Sequence, residues 1–464
     1  MNFDKVLLEL GEFGPWQICI TLLLWLPAAI DGMMSLMASY TALVPEAYRC
    51  NIPGCDGEQF GFSDFAKQKL FPSFNESSPE YNPDKPNFCK YYKPHILDNG
   101  TCSSQFSSDV LECGSSSRFT YDQDTFVMDR TLVTDFSMLC NASKEVWIPM
   151  FNSCFMVGLA IGSFVFGILS DNLGRRHTLL IAIILCSVSS IAGSYMPNYW
   201  SYAIFRILVG AGSEGCYIVA FTMSMEIVGI RERVPGLKWV SYSTFQGNMI
   251  MIPFALGEVM VSLAAMMITT WSDLEQCVSI ASLGCATIWI FIPESPRWLI
   301  AQGENEKARE VIHQAGRVNG VKTTGVIFTD GDGTDQTKKL PQFGLLDMFH
   351  SSVIKITLAL FVCWPIITLL YYGLTFGADK IHLTSNTYVN FIIMALVEIP
   401  SSLFLILVMD IWGRKPLLVI SLLVPGVSFI AAALLEEGIV FATFVLVGKF
   451  FATGAFNIVH IFTA

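Results

Sequence analysis

Ten apolar blocks, most of about 20 residues or more, dominate this chain. Crossing about 30 Å of hydrocarbon takes roughly 20 helical residues at 1.5 Å each. The blocks run over 16–42, 146–169, 177–196, 200–228, 239–266, 272–292, 352–376, 386–409, 415–435 and 439–464. They lack the polar–apolar alternation of a barrel strand, and inside lipid only a helix satisfies its own backbone. The expected fold is therefore all-α and polytopic. The first block is too long for a cleaved signal peptide, and its flank, residues 1–12, is not basic.

Composition narrows the function classes. Of 464 residues only 14% are charged, and 35 Phe outnumber 28 Lys and Arg. Soluble domains are nearer a quarter charged. A soluble multidomain enzyme, a disordered chain and a nucleic-acid binder are excluded, and the net charge of −11 also opposes phosphate binding.

Short loops set the expected orientation. Arg175 and Arg176 follow the second block, Arg231, Arg233 and Lys238 the fourth, Arg414 and Lys415 the eighth. The loops between them are poor in Lys and Arg. By the positive-inside rule residues 1–15 are cytoplasmic, as is the linker 293–351. Segment 43–145 is then extracellular. It holds 15 acidic and nine basic residues, six cysteines (Cys50, Cys55, Cys89, Cys102, Cys113 and Cys140) and three N-x-[ST] sequons, at Asn75, Asn99 and Asn141. An even cysteine set with sequons predicts a disulfide-braced, glycosylated loop domain, and a plasma-membrane location. Six cysteines allow 15 pairings, which stay open.

An internal repeat organises the rest. GILSDNLGRR (167–176) and VMDIWGRK (408–415) share D-x-x-G-R-[RK], with Asp171 matching Asp410. Trp16 and Asp171 lie 52 residues apart once the 103-residue insertion is left out, against 58 from Ser352 to Asp410. The chain reads as two parallel repeats, spans 1–6 within 16–292 and spans 7–10 within 352–464. Such repeats are common in secondary transporters, with the substrate between them near the midplane. The second repeat stops at Ala464 inside an apolar block, so two further spans are expected of a twelve-helix parent.

GEFGPWQ (11–17), the Cys-rich first loop, GILSDNLGRR, MEIVGIRERV (225–234), PESPRWLI (293–300), ALVEIP (395–400) and VGKFFATGAFNIVHIFTA (447–464) complete a pattern. Together they resemble the organic cation/anion/zwitterion transporters of the major facilitator superfamily, nearest the carnitine and organic-cation branch. The resemblance runs across the chain. It implies the major facilitator fold, two further spans after the last string, and a cavity lined by Tyr371 and Asn457. One departure is Asn172, where the superfamily motif usually carries Arg or Lys.

Charges at the arginine-rich ends of the spans suggest a gate. Arg175, Arg176 and Arg231 can pair with Asp171, Glu226 and Glu294, and Asp171 can cap the following helix. Arg297 belongs to the same motif set, and Asp410 and Arg414 would repeat the arrangement. Such a network would latch the halves in one state and release them in the other.

Charges inside the spans default to a functional reading. Asp31, Glu214, Glu398 and Lys449 lie roughly 17, 21, 18 and 15 Å below the outer ends of their spans. The excess of carboxylates favours a cationic or zwitterionic substrate. Glu398 and Lys449, at matching depth, are expected to pair. Tyr217, Tyr371 and Tyr372 offer aromatic faces to a quaternary ammonium group.

The leading expectation is a carrier of small organic cations or zwitterions such as carnitine, working by alternating access in a bilayer. It is not an enzyme, and it needs no cofactor, metal or nucleic acid. A coupling ion, sodium or proton, stays open, as does the oligomeric state. The alternatives are an organic anion carrier, which would need a free basic residue, and a non-transporting isoform or regulator.

Overall fold

A computed structural model describes residues 14–44, 48–50, 89–96, 102–113, 119–121, 128–140, 142–228, 240–321, 349–350, 353–376, 384, 386–435 and 438–463. Pro15 opens helix α1 (Pro15–Thr41), at the position where its missing N–H has no helical partner to lose. Then come two short helices, α2 (Leu132–Asp135) and α3 (Ala142–Glu145), and the long helices α4 (Met150–Leu173), α5 (Arg175–Gly193) and α6 (Tyr199–Glu226). Helices α7 (Tyr242–Met249) and α8 (Met251–Met267) form one continuous span. So do α13 (Thr387–Leu396) and α14 (Glu398–Trp412), which follow α12 (Ile354–Phe376) and precede α15 (Arg414–Ala433) and α16 (Ile439–Thr463).

Nine helices among the described residues are long and apolar enough to cross a membrane, against ten expected. The exception is the sixth block. Its α-helix, α9 (Trp271–Gly284), ends after 14 residues and tightens into a 3₁₀ segment, Cys285–Ile290. The Thr287 hydroxyl donates to the Gly284 carbonyl at this junction, 2.9 Å. Such i to i−3 bonding by a β-branched residue suits the tighter turn. Two helices follow, α10 (Pro296–Ala301) and α11 (Asn305–Asn319).

Helices alone do not describe the insertion. Strand β1 (Tyr48–Cys50) pairs antiparallel with β4 (Phe119–Tyr121), and β2 (Lys90–Ile96) with β3 (Cys102–Glu112). Cys89 and Cys140 form a disulfide and Cys113 is also bridged. The side chains of Cys50, Cys55 and Cys102 lie outside the described residues, as do Asn75, Asn99 and Asn141. The segment docks on the first repeat: Trp271 Nε1 donates to Asp135, 2.8 Å, and Leu132, Val133 and Met138 are buried.

Small residues set how closely the spans pack. In V-G-L-A-I-G-S, Gly158 and Gly162 face α6. A methyl group at Gly158 would lie 2.2 Å from the Ile207 carbonyl oxygen, and one at Gly162 2.4 Å from that of Ala211. The pair is a G-x-x-x-G contact of the kind that lets membrane helices touch backbone to backbone. Between α1 and α8, Gly32 and Gly257 play the same part, each 2.1 Å from a facing carbonyl by the same measure.

The repeated motif folds twice in the same way. Gly174, between α4 and α5, has φ 92° and ψ 160°; Gly413, between α14 and α15, has φ 81° and ψ 156°. Positive φ explains the glycine of D-x-x-G-R in both halves. The first repeat (α1, α4–α9) meets the second (α12–α16) along α7 and α8. Helix α8 packs on α13 and α14, and α7 on α14 and α16. Faces turned from these contacts carry exposed apolar residues, such as Leu369, Leu423, Val427 and Ile430. Water would not tolerate them, and lipid does.

Candidate functional site

Lys449 lies in the middle of α16 and is fully buried. Its stem follows the apolar helix, so its ammonium must find partners inside the second repeat. It finds three. Nζ lies 2.6 Å from Glu398 Oε1, donates to Thr375 Oγ1 at 2.6 Å, and sits 3.8 Å over the Tyr371 ring. The Tyr371 hydroxyl donates to the same Glu398 oxygen, 2.6 Å. Thr375 is free to accept because its own proton goes to the Tyr371 carbonyl, 2.9 Å. Helices α12, α14 and α16 thus meet at one polar knot. Tyr371 also stacks on Phe456 at 4.6 Å and meets Tyr372 edge-on. Asn457 stands apart from the knot, donating to Ser402 at 2.9 Å.

The first repeat brings its own acids. Asp31 on α1 accepts from the Ser213 hydroxyl on α6, 2.6 Å, and Glu214 is the next residue along. Tyr217, one turn further, donates to the Met251 sulfur and packs edge-on to His460 of the second repeat, with rings 5.4 Å apart. Phe254 and Tyr371 approach across the same junction, 6.5 Å apart. The structure therefore divides the eight expected binding residues by repeat. Asp31, Glu214 and Tyr217 lie on one side and Tyr371, Tyr372, Glu398, Lys449 and Asn457 on the other.

Three buried charges escaped the sequence reading. Glu258 on α8 faces the junction, in electrostatic range of Glu398 and Lys449. It lies about 14 Å from the end of its helix, so the depth rule that flagged Lys449 could have found it. Arg206 and Glu275 belong to a separate cluster inside the first repeat. Arg206 donates to the Met34 carbonyl, 3.1 Å, and covers the Phe155 ring, while Tyr202 bonds Glu275.

The arginine-rich end is built differently from the expected latch. Arg175 Nη2 meets Glu226 at 2.8 Å, Nη1 reaches Asp171 at 3.1 Å, and Nη1 also donates to the Ser170 carbonyl. The cap on α5 is Glu294, not Asp171. Its carboxylate accepts the backbone N–H of Arg175 at 2.8 Å and of Arg176 at 3.2 Å. Asp171 cannot do this because its side chain is turned to the surface, 75% exposed. The Arg176 guanidinium takes none of the expected acids among the described residues; it stacks on Trp289 at 4.2 Å and donates to its carbonyl. Arg231 is outside the described residues, and Arg297 lies on α10, which joins the cluster through Trp298 and the Asp171 carbonyl. Among the described residues, Arg175, Asp171, Glu226 and Glu294 join the first repeat to the start of the linker after it, and so brace that half.

The bridge is Asp410. Its carboxylate crosses to the start of α7, accepting from Ser241 N–H (2.7 Å), the Ser241 hydroxyl (2.9 Å) and the Thr244 hydroxyl (2.9 Å). A carboxylate at a helix N-terminus is favoured by its unpaired N–H groups and dipole. Arg414 stays within the second repeat, donating to the Ile461 carbonyl. At the opposite end the halves meet through aromatics: Tyr40 stacks on Tyr388 at 5.7 Å and meets Phe391 edge-on at 5.0 Å.

Two like helical repeats that span the membrane several times, joined at both ends and charged between, define a major facilitator carrier. The solved xylose transporter XylE from E. coli has this fold. Its partially occluded inward-open form matches with a TM-score of 0.54 at 16% identity, over 96% of this chain and 86% of that one. The chain belongs to the sugar (and other) transporter family, whose model matches residues 100–463. Relatives include the organic cation transporter protein of Drosophila melanogaster, 28% identical over 100% of this chain and 81% of its own length. The organic cation/carnitine transporter 2 of Homo sapiens is 27% identical with the same coverage.

Proposed function

We propose that this protein carries small organic cations or zwitterions, carnitine-like or quaternary ammonium, across the plasma membrane by alternating access. The observation that carries this reading is the charge balance between the repeats. The carboxylates Asp31, Glu214 and Glu398 outnumber the buried ammonium of Lys449, and that ammonium is spent on Glu398. Of the other buried bases, Arg206 is turned into the first repeat and Arg175 is held by Glu226 at the end of its span. An organic anion would meet surplus carboxylates. A cation would meet carboxylates and the ring faces of Tyr217, Tyr371 and Tyr372. The names of the relatives agree with this class.

Alternating access needs contacts between the halves that can break in turn. The Asp410 bridge and the Tyr40–Tyr388–Phe391 cluster are those contacts, the first cytoplasmic and the second extracellular by the positive-inside reading. Binding between the halves then has to be compatible with either contact breaking, not with both at once.

Uptake into proteoliposomes tests the class. Radiolabelled tetraethylammonium and carnitine are expected to enter and para-aminohippurate to stay out. Uptake of para-aminohippurate alone would overturn the reading. Asp410→Ala tests the gate. Loss of charge-assisted bonds worth about 1.5–3 kcal/mol each favours opening at that end. Spin labels at Leu173 and Trp412, both exposed there, are expected to report a longer distance in the variant. An unchanged distance distribution would remove Asp410 from the gate.

A further inference from the structure

Glu258 points into the junction of the repeats from α8, with 1% of its surface exposed. Its Oε1 has no hydrogen-bond partner among the described residues. Neighbouring donors are directed elsewhere: those of Lys449, Tyr371 and Tyr40 meet other acceptors. Lys449 is held by Glu398 and Thr375, and the Tyr371 hydroxyl by Glu398. The Tyr40 hydroxyl donates to Ser262, 2.7 Å, and Ser262 donates to the backbone carbonyl of Glu258 itself, 2.6 Å. The titratable neighbours are Asp31 and Tyr40 on α1, Tyr371 and Tyr372 on α12, Glu398 on α14 and Lys449 on α16. Tyr388 of α13 lies behind Tyr40. Two of these are carboxylates and the one cation is already paired.

A carboxylate oxygen in such a place lacks a hydrogen-bond donor, and the nearby cation, Lys449, is already bonded to Glu398. A protein cation would cure it, and Lys449 is taken. A hard metal ion would need about six oxygen ligands, and the nearby hydroxyls are aimed at other acceptors. An organic cation needs room that a sealed side chain does not offer. A proton needs neither ligands nor room.

We propose that Glu258 is a proton-binding carboxyl. It takes a proton from water when the repeats part, forming a neutral O–H, and holds it while they close. It returns the proton to water when they part on the other side. No electrons move, and the proton is the only particle gained or lost. The coupling of that proton to substrate rests on the carrier reading above; the protonation in the closed state does not.

Two measurements separate these points. In the first, purified protein in proteoliposomes traps a pH dye, with potassium and valinomycin holding the voltage at zero. A tetraethylammonium gradient is expected to change the internal pH with wild type. Glu258→Gln should lose at least tenfold of that change while tetraethylammonium exchange stays within about threefold. Glu258→Met, uncharged and of similar length, should behave alike. An unchanged proton signal in both variants, or tetraethylammonium transport by wild type with no proton movement, overturns the proposal. The second measurement is the infrared C=O band of a protonated carboxylic acid in the purified protein at neutral pH. The band is expected in wild type and its height should fall in Glu258→Gln. Equal height in both overturns the protonation. A falling band together with uptake of neither tetraethylammonium nor carnitine by wild type would uphold the protonated carboxyl and sink the carrier reading.

Discussion

Replacing Lys449 by Ala is expected to abolish uptake and to destabilise the protein by about 3–5 kcal/mol, the cost of breaking a buried pair from one side. Glu398 would remain 2% exposed, with only the Tyr371 hydroxyl to meet its charge. The double variant Glu398→Gln with Lys449→Met removes both charges and nearly keeps their volumes. Its stability should return to within about 1–2 kcal/mol of wild type, since a well-packed neutral pair often matches an ionic one. Its uptake should not return. Thermal unfolding in detergent and tetraethylammonium uptake read the two effects separately. A double variant that transports like wild type would show that the pair only packs α14 against α16. Equal stability of the single variant and wild type would show that the charge is solvated, and that the knot is open to water.

Arg175→Ala is the second large loss. It strips Glu226 of three charge-assisted hydrogen bonds, which reach both carboxylate oxygens, takes one donor from the Ser170 carbonyl and removes the partner of Asp171. With Arg175 and Glu226 both largely buried, about 3 kcal/mol of stability should go. Arg175→Lys should recover under half of it, because an ammonium cannot fork to two oxygens of Glu226 while reaching back to Ser170. Adding Glu226→Gln to Arg175→Ala should recover more, by removing the orphaned charge. A double-mutant cycle on melting temperature gives the coupling, expected at about 1–3 kcal/mol. Additive losses would mean that Arg175 acts on α5 alone. Because this cluster lies in one repeat, the losses should appear as instability and not as a changed distance between Leu173 and Trp412. Asp410 variants should do the reverse.

The contrast between these two clusters locates what the residues disclose unaided. Asp171 and Asp410 occupy equal places in a repeated motif, and the motif turns the chain identically at Gly174 and Gly413. Yet Asp171 ends on the surface while Asp410 reaches across to Ser241 and Thr244. Nothing in D-x-x-G-R distinguishes the two. The difference lies in what each loop faces: Glu294 already fills the helix start beside Asp171, whereas the start of α7 is open to Asp410. The Glu398–Lys449 pair was legible because two opposite charges at like depth in lipid have few other solutions. Glu258 obeys the same depth rule, and its place at the junction needed the packing of α8 on the second repeat. The strands of the 43–145 insertion were hidden by the cysteines and sequons, which speak of compartment and not of backbone.

The chain by itself determined that it must live in a membrane, because so many blocks of this length and hydropathy can satisfy their backbones only as helices in lipid. It also determined two repeats and a family likeness, because both follow from spacing and motif. Tertiary structure alone decided which charges meet. A carboxylate at the end of a helix can cap its neighbour, brace its own repeat or cross to the other. Those outcomes differ by a few ångströms of helix packing, set here by glycines that let α1 and α8 touch at Gly32 and Gly257. Partners such as Arg175 and Glu226 lie 51 residues apart in sequence and Ser241 and Asp410 169, and only the packed helices bring them within hydrogen-bonding distance.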